Sequence, residues 1–276
     1  KSLLKKGKQG LKGLKDFGKK VLKGKKGTDL KKLVKKGKRK WTPEKARNRA
    51  KKLVEKKEKI NARKKKYIEK IQNRGLSTSK VTRKKLGDTL SEMADNGDSL
   101  LKRKMVQWEA GRLSKARAAE KRASEDLGQV GAEFFEEEAG RHVVPTVGGS
   151  GVGPGHFDCV TVDTRLNELH FVEAKGGKSP LGSACDKLPD GSRGARFKQG
   201  TPEYINHIAR QDDDFARLMA DNPDFWDDVK KGKVSLHNTV CRTPTADLDG
   251  IEYTSSTFTL EQRTIQEIDE KIRRMR

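Results

Sequence analysis

The chain has 276 residues, of which 32% are hydrophobic, 5% aromatic and 37% charged, so its apolar residues cannot fill a single core of that size. Residues 1–125 carry 44 Lys and Arg against 13 Asp and Glu, whereas residues 126–276 carry 19 against 26. The first part, at +31, favours a polyanionic partner, either nucleic acid or an anionic membrane surface, while the second part is acidic at −7. No apolar run reaches the roughly 18 residues that span a bilayer, and three cysteines without metal-ligand spacing exclude a disulfide framework.

Residues 1–40 consist mainly of Lys, Gly and Leu. Glycine recurs throughout this stretch and disfavours an isolated helix, so we predict a flexible basic segment. The alternative is a cationic amphipathic helix on an anionic surface, because five apolar residues would share one helical face: Leu11, Leu14, Phe17, Val21 and Leu22. No signal peptide is recognisable, and because the chain begins at Lys1 rather than Met we expect it to be part of a longer protein.

A basic helical linker is predicted over residues 41–120. Thr42 is a suitable N-cap, Pro43 suits the first helical position, and Gly75 follows the far end. Beyond this helix the sequence predicts shorter helical stretches that are interrupted around residues 96–97. Most other positions are Lys, Arg or Glu, which indicates a long, exposed and basic helix.

The pattern then changes and predicts a third domain, residues 121–276. An acidic helix beginning near residue 124 ends at Gly140, and two later helices begin at Thr201 and Leu260. Five strands are predicted, at His142–Val147, His156–Asp163, Glu168–Lys175, 233–242 and 251–258. A Gly-rich loop is expected over residues 176–195. This order of elements predicts an α/β fold with a mixed β-sheet flanked by helices, preceded by a long basic helical and low-complexity region.

The residues that carry chemistry lie in the predicted hairpin. Glu173 and Lys175 are two apart on a strand, so both side chains project from the same face. A hairpin register can bring Asp158 beside Glu173, and two neighbouring carboxylates favour Mg²⁺ or Mn²⁺. Lys175 could then orient and help to deprotonate a metal-bound water. Because Glu55 begins the same Glu-x-Lys pattern inside a charged helix, the motif alone is unspecific, and an ordinary surface salt bridge is the alternative.

A family resemblance adds to this pattern. The stretch 124–210 combines the acidic helix with three motifs: Gly-His-Phe-Asp158, Phe-Val-Glu173-Ala-Lys175-Gly-Gly and Lys-Gln199-Gly-Thr-Pro-Glu-Tyr204. The combination resembles PD-(D/E)XK nuclease domains, especially those at the C-terminus of bacterial polymorphic toxins, over about a third of the chain. It implies a restriction-endonuclease-like fold in which Asp158 and Glu173 bind Mg²⁺. In the same family pattern, Lys175 acts on the nucleophilic water, and Gln199 helps to form the site from the following helix.

Family members often add a glutamate from the first helix. Four candidates share one face of the acidic helix at i, i+4 spacing: Glu125, Gln129, Glu133 and Glu137. We predict that Glu133 completes the site. Gln129 could occupy the position where related sequences carry Glu, which leaves that assignment open. Tyr204 either positions substrate or packs, and its helical apolar position favours packing.

The resemblance implies a metal-dependent endonuclease toxin with little sequence specificity, acting on DNA by family preference, with RNA as the alternative. It further implies delivery by a bacterial secretion system or carrier as the end of a larger effector, action in the target-cell cytoplasm during interbacterial competition, and a cognate immunity protein. Four basic residues are predicted to contact phosphates: Lys178, Arg193, Arg196 and Lys198. The alternatives are a recombination or repair nuclease of the same fold, a nucleic-acid-binding protein acting through its basic half, and a membrane-active cationic peptide.

Two histidines flank the predicted centre, His156 and His170. Neither belongs to a His/Cys ligand spacing, so the sequence disfavours zinc and favours strand packing or a phosphate contact. The other three histidines, His142, His207 and His237, give no functional signal.

Overall fold

The computed structural model describes residues 41–148, 155–187, 190–244 and 248–275. The predicted flexible segment, residues 1–40, lies outside the described residues. The chain divides into two compact units: Lys51–Asp126, here called the helical unit, and the sheet unit, which joins the chain up to Ala50 with Leu127–Arg276. The three-domain division predicted from the sequence stays a prediction.

Three helices occupy the first part of the described chain: α1 (Pro43–Gln72), α2 (Leu86–Asp95) and α3 (Leu100–Glu138). Thr42 caps α1 as predicted, because its Oγ1 accepts the Lys45 amide at 3.3 Å. The predicted start of the acidic helix near residue 124 is wrong, since α3 is one helix of 39 residues. Its sequence is rich in Ala, Leu, Lys, Arg and Glu, which favour helix, so nothing interrupts it there.

The helical unit has its own small core. Five of its buried side chains lie in one cluster: Ile71, Val81, Met93, Val106 and Leu113. Arg74 binds the buried Glu109 through two hydrogen bonds, of 2.8 and 3.0 Å. A carboxylate that is only 2% exposed needs such a partner, so this pair ties the turn after α1 to α3 within the unit.

The sheet unit is built on five strands in the order β1-β2-β3-β6-β7. Their bounds are β1 His142–Gly148, β2 Cys159–Asp163, β3 Glu168–Gly176, β6 Ser235–Thr243 and β7 Glu252–Phe258. The central pair β3 and β6 is parallel, and the other pairs are antiparallel. The predicted α/β fold with a mixed sheet flanked by helices is therefore confirmed.

Among the strands, two differences from the sequence prediction stand out, and after them the helix predicted from Thr201 is divided into shorter helices. The expected loop over residues 176–195 instead contains β4 (Ser183–Lys187) and leads into β5 (Arg193–Lys198), which form a separate antiparallel pair. The hairpin is held from outside: Phe197 stacks on His207 with ring centroids 4.6 Å apart. The strand predicted from His156 begins at Cys159, because Asp212 accepts the Phe157 amide at 3.1 Å and removes it from the ladder.

Helices cover both faces of the five-stranded sheet. Four follow the hairpin in the chain: α4 (Pro202–Gln211), α5 (Asp213–Asp221), α6 (Pro223–Lys230) and α7 (Gln262–Met275). They share the main core with Val160, Leu169 and Phe171 of the sheet. The opposite sheet face carries Cys159 and Val172, which pack with Ala132 of α3. Within the described ranges, no helix combines the length and apolarity needed to cross a membrane.

Candidate metal-binding and catalytic site

The pairing of β2 with β3 brings Asp158 and Glu173 together. Cys159 pairs with Val172, so the next position in the antiparallel register sets Asp158 opposite Glu173. Asp158 Oδ2 accepts the Ala174 amide at 3.0 Å, which fixes this carboxylate against the β3 backbone. The hairpin register inferred from the sequence therefore places both carboxylates at one point of the sheet.

Glu173 has an unusual electrostatic environment. Its side chain is 5% exposed. Burial raises the pKa of this carboxyl, the adjacent negative charge of Asp158 raises it further, and Lys175 only partly offsets both, so that the pKa lies at about 8. A buried carboxyl beside a second carboxylate favours either a proton or a cation in the space between them. Such a pair is a suitable ligand set for a divalent cation that prefers oxygen.

Three further polar residues of the predicted site lie around this pair. Lys175 Nζ donates a hydrogen bond to Glu173 Oε1, and the lysine side chain is 14% exposed. Gln199 Nε2 donates to the Tyr204 hydroxyl at 3.2 Å. Burial raises the pKa of Tyr204, and the negative charges of Glu173 and Asp158 raise it further, so the phenol stays neutral within reach of both carboxylates.

Helix α3 approaches the backbone of β3 closely through glycine. A Cβ built on Gly128 would lie 2.8 Å from backbone atoms of Lys175 and Gly176, and one on Gly131 would lie 1.8 Å from Thr243 Oγ1. Only glycine permits this closeness of backbones. The helix therefore supports the strand that carries Glu173 and Lys175 from the opposite face of the sheet.

Glu133, the predicted fifth residue, lies on this supporting helix. Its Oε1 accepts from Gln129 at 2.9 Å and its Oε2 accepts from the Trp41 indole at 2.6 Å. Burial raises the pKa of Cys159, and Glu133 is the first of the charges that raise it further, which places the Glu133 carboxylate near the residue that follows Asp158. Strand alternation puts Glu173 on the other face of the sheet, so Glu133 lies on the α3 side, and its part in the site stays a prediction.

The four residues predicted to contact phosphates are all exposed: Lys178, Arg193, Arg196 and Lys198. Arg196 and Lys198 alternate with Phe197, which stacks on His207, so both basic side chains leave the hairpin on its outer face. Gln199 follows directly, and its Oε1 accepts the Gly182 amide. The same hairpin therefore carries the basic residues and positions Gln199.

One residue beside the site has no signal in the sequence. Arg242 of β6 is the direct parallel neighbour of Lys175 and shares its face. Its Nη1 donates to the Ser179 carbonyl at 2.5 Å, which ties the loop after β3 to β6. Sequence analysis could not identify Arg242 as a neighbour of Lys175, because the two strands are far apart in the chain and only the register of the parallel pair brings them together.

The two histidines that flank the site in sequence have structural partners elsewhere. His156 Nδ1 lies 3.4 Å from Asp212 Oδ1, and Asp212 also caps α5 through the Asp214 and Phe215 amides. His170 stacks on His237 of β6, with ring centroids 4.4 Å apart. The predicted strand packing of His170 agrees with this geometry.

The chain was compared with family models, with curated proteins and with solved structures, and none of the three comparisons returns a match.

Proposed function

We propose that this protein is a metal-dependent nuclease that hydrolyses phosphodiester bonds at the centre formed by Asp158, Glu173 and Lys175. The observation that carries the proposal is the convergence of two carboxylates and one ammonium group at the end of an apolar strip of sheet. Charges in such a place require a partner or a metal. The PD-(D/E)XK resemblance supports the same assignment. We propose the restriction-endonuclease-like fold on the same ground.

Asp158 and Glu173 are the proposed ligands of Mg²⁺, with Mn²⁺ as the alternative. When bound, such an ion supplies a water of lowered pKa and stabilises charge that develops on the phosphate oxygens. Asp158 is already oriented by the Ala174 amide, so its carboxylate needs no rearrangement. Glu173 binds the ion only after losing its proton, because burial and Asp158 raise its pKa to about 8.

Lys175 and the Gln199–Tyr204 pair are the proposed positioning groups for the attacking water and the substrate. Lys175 donates a hydrogen bond to Glu173, so its ammonium group lies beside the proposed metal ligands. There it can hold a water and move a proton. Tyr204 remains a neutral hydroxyl because its pKa is raised by burial and by Glu173. It therefore serves as a hydrogen-bonding group and not as a base.

The substrate is proposed to be DNA, held through its phosphates and without base recognition. Lys178, Arg193, Arg196 and Lys198 are exposed on the segment between Glu173 and Gln199, where they can neutralise phosphates. They concentrate positive charge in one part of residues 126–276, whose net charge of −7 would otherwise repel a polyanion. RNA is the alternative substrate, since phosphate contacts do not distinguish the two.

The test is plasmid cleavage by the full chain, in Mg²⁺ and in EDTA. We expect cleavage only in Mg²⁺, and a loss of about 10² to 10⁴ in rate for Lys175→Ala, the usual worth of a proton-transfer group. Asp158→Ala should abolish metal-dependent cleavage, while Asp224→Ala, which removes an exposed carboxylate on α6, should cleave as the native chain does. Cleavage that survives in EDTA or in both site variants would overturn the proposal.

One structural observation favours a second candidate function, nucleic-acid binding by the basic half of the chain. The helical unit has an open cleft of about 510 Å³ between α1 and α3. Four cations and one aromatic ring line it: Arg63, Lys66, Arg112, Lys115 and Tyr67. Such a lining suits phosphates and a stacked base. If DNA and RNA both stay intact while the chain still binds them in a salt-dependent way, this function replaces the nuclease.

The biological setting we propose is that of a secreted antibacterial effector, carried by a larger protein and neutralised by an immunity partner. Its support is the family resemblance of the motifs around Asp158, Glu173 and Gln199. Induced expression in a bacterial cytoplasm distinguishes it from a recombination or repair nuclease. A toxin should stop growth, and Lys175→Ala should relieve that arrest, whereas a housekeeping enzyme should be tolerated in both forms.

A further inference from the structure

A second cluster of potential metal ligands lies on the opposite face of the sheet from Glu173. Glu168 and His170 belong to β3, and His237 is the parallel neighbour of His170 on β6. His170 Nε2 lies 3.1 Å from Glu168 Oε2, and His237 Nε2 lies 3.5 Å from Glu168 Oε1. Both imidazoles therefore place the same ring nitrogen beside one carboxylate, and their planes are nearly parallel, at 16°. A shared ion requires the more exposed ring, that of His237, to turn out of this stack.

We propose that Glu168, His170 and His237 form a binding site for a borderline transition-metal ion, zinc above all, that links β3 to β6. Ligand atoms around a tetrahedral zinc stand about 3.4 Å apart, given bonds of about 2.0 to 2.1 Å. His170 and His237 lie 3.1 and 3.5 Å from the two different oxygens of Glu168, and one ligand atom of each of the three residues lies within 4.8 Å of the others. Two imidazoles and a carboxylate favour zinc over magnesium, which prefers oxygen alone.

The surroundings of the cluster suit such an ion. The next charges, Glu136 and Arg141, are bound to each other and nearly cancel.

The site has an outer partner and an open side. His237 Nδ1 lies 3.4 Å from Ser255 Oγ. This contact orients the ring, as the hydrogen-bond partner of a zinc-binding histidine does. Glu168 and His237 retain 21% and 16% of their side-chain exposure, which leaves room for a water as the fourth ligand. Along β3, Glu168 lies about 16 Å and His170 about 10 Å from Glu173, and both are on the other face, so the cluster is separate from the proposed nuclease centre.

The experiment measures zinc bound by the full chain after dialysis, in buffer with excess Mg²⁺ to saturate oxygen sites. We expect one zinc ion per chain and a zinc-dependent rise in the thermal unfolding midpoint. His237→Gln, which changes the more accessible imidazole of the cluster, and Glu168→Gln should lose both, while His142→Gln, an exposed histidine on β1, should keep both. Circular dichroism establishes that each variant is folded, and if Glu168→Gln is not, His237→Gln decides.

The outcomes separate this site from the carboxylate pair. Asp158→Ala should retain the zinc, because Asp158 lies at the other end of the strand pair and on the other face. Loss of zinc in Asp158→Ala, unchanged zinc in folded His237→Gln, or no zinc in the native chain would each overturn the proposal. The cluster would then be two histidines that donate hydrogen bonds to Glu168.

Discussion

Replacing Glu173 with Gln should change how the stability of the sheet unit depends on pH. The folded carboxyl has a pKa of about 8 against an ordinary value of 4.5, because burial and Asp158 disfavour its charge. Below pH 4.5 both states are protonated; above it the unfolded chain releases a proton that the folded chain keeps, so stability falls as pH rises towards 8. Each pH unit costs about 1.4 kcal/mol, so the native chain should lose about 3 kcal/mol between pH 5 and pH 7.5.

The neutral amide of Glu173→Gln has no such loss. The assay is urea denaturation of the full chain in EDTA across this pH range, with hydrogen exchange of β3 peptides reporting the strand itself. Glu203→Gln, which changes an exposed carboxylate on α4, serves as the control and should follow the native curve. Added Mg²⁺ should flatten the native curve by replacing the proton. If the native and Glu173→Gln curves run parallel, Glu173 is not held protonated and the reasoning is refuted.

Two further changes test the packing around the site. Gly131→Ala places a Cβ 1.8 Å from Thr243 Oγ1 and should lower the free energy of unfolding in urea by about 1 to 3 kcal/mol. The control Gly111→Ala, whose Cβ meets nothing within 4 Å, should stabilise α3 by up to about 1 kcal/mol. Equal effects of the two variants would contradict the close contact at Gly131. Arg141→Met leaves Glu136, which is 0% exposed, without its cation and should cost about 3 to 5 kcal/mol in thermal unfolding. Arg141→Lys should recover part of this, and a loss below about 1 kcal/mol would show that the pair is not needed.

The hairpin β4–β5 shows why part of the fold escaped sequence analysis. Glycine, serine and proline are common between residues 176 and 195, and no clear apolar alternation marks a strand there. The hairpin is held by tertiary contacts instead: Phe197 stacks on His207, and His207 Nδ1 lies 2.9 Å from Asp186 Oδ1. Elements stabilised by distant partners leave little local pattern, since propensity is weak against packing.

The candidate site divides in the same way. Glu173 and Lys175 share a face by the period of a strand, and Asp158 reaches them across a hairpin, so the sequence alone determined this constellation. The carboxyl pKa of about 8 depends on the burial of Glu173, which only the packed structure supplies.

Parallel pairing lies further beyond the reach of sequence. Arg242 beside Lys175, and His237 beside His170, come from distant segments, and only the register of β3 with β6 makes them neighbours. A parallel pair requires a long crossover, and nothing local specifies where the second strand begins relative to the first. The sequence by itself determined the charged halves, the mixed sheet with its helices and the carboxylate hairpin, because these follow from composition and short-range periodicity. The tertiary structure decided the His-Glu cluster and the electrostatics of Glu173, because both depend on contacts between residues far apart in the chain.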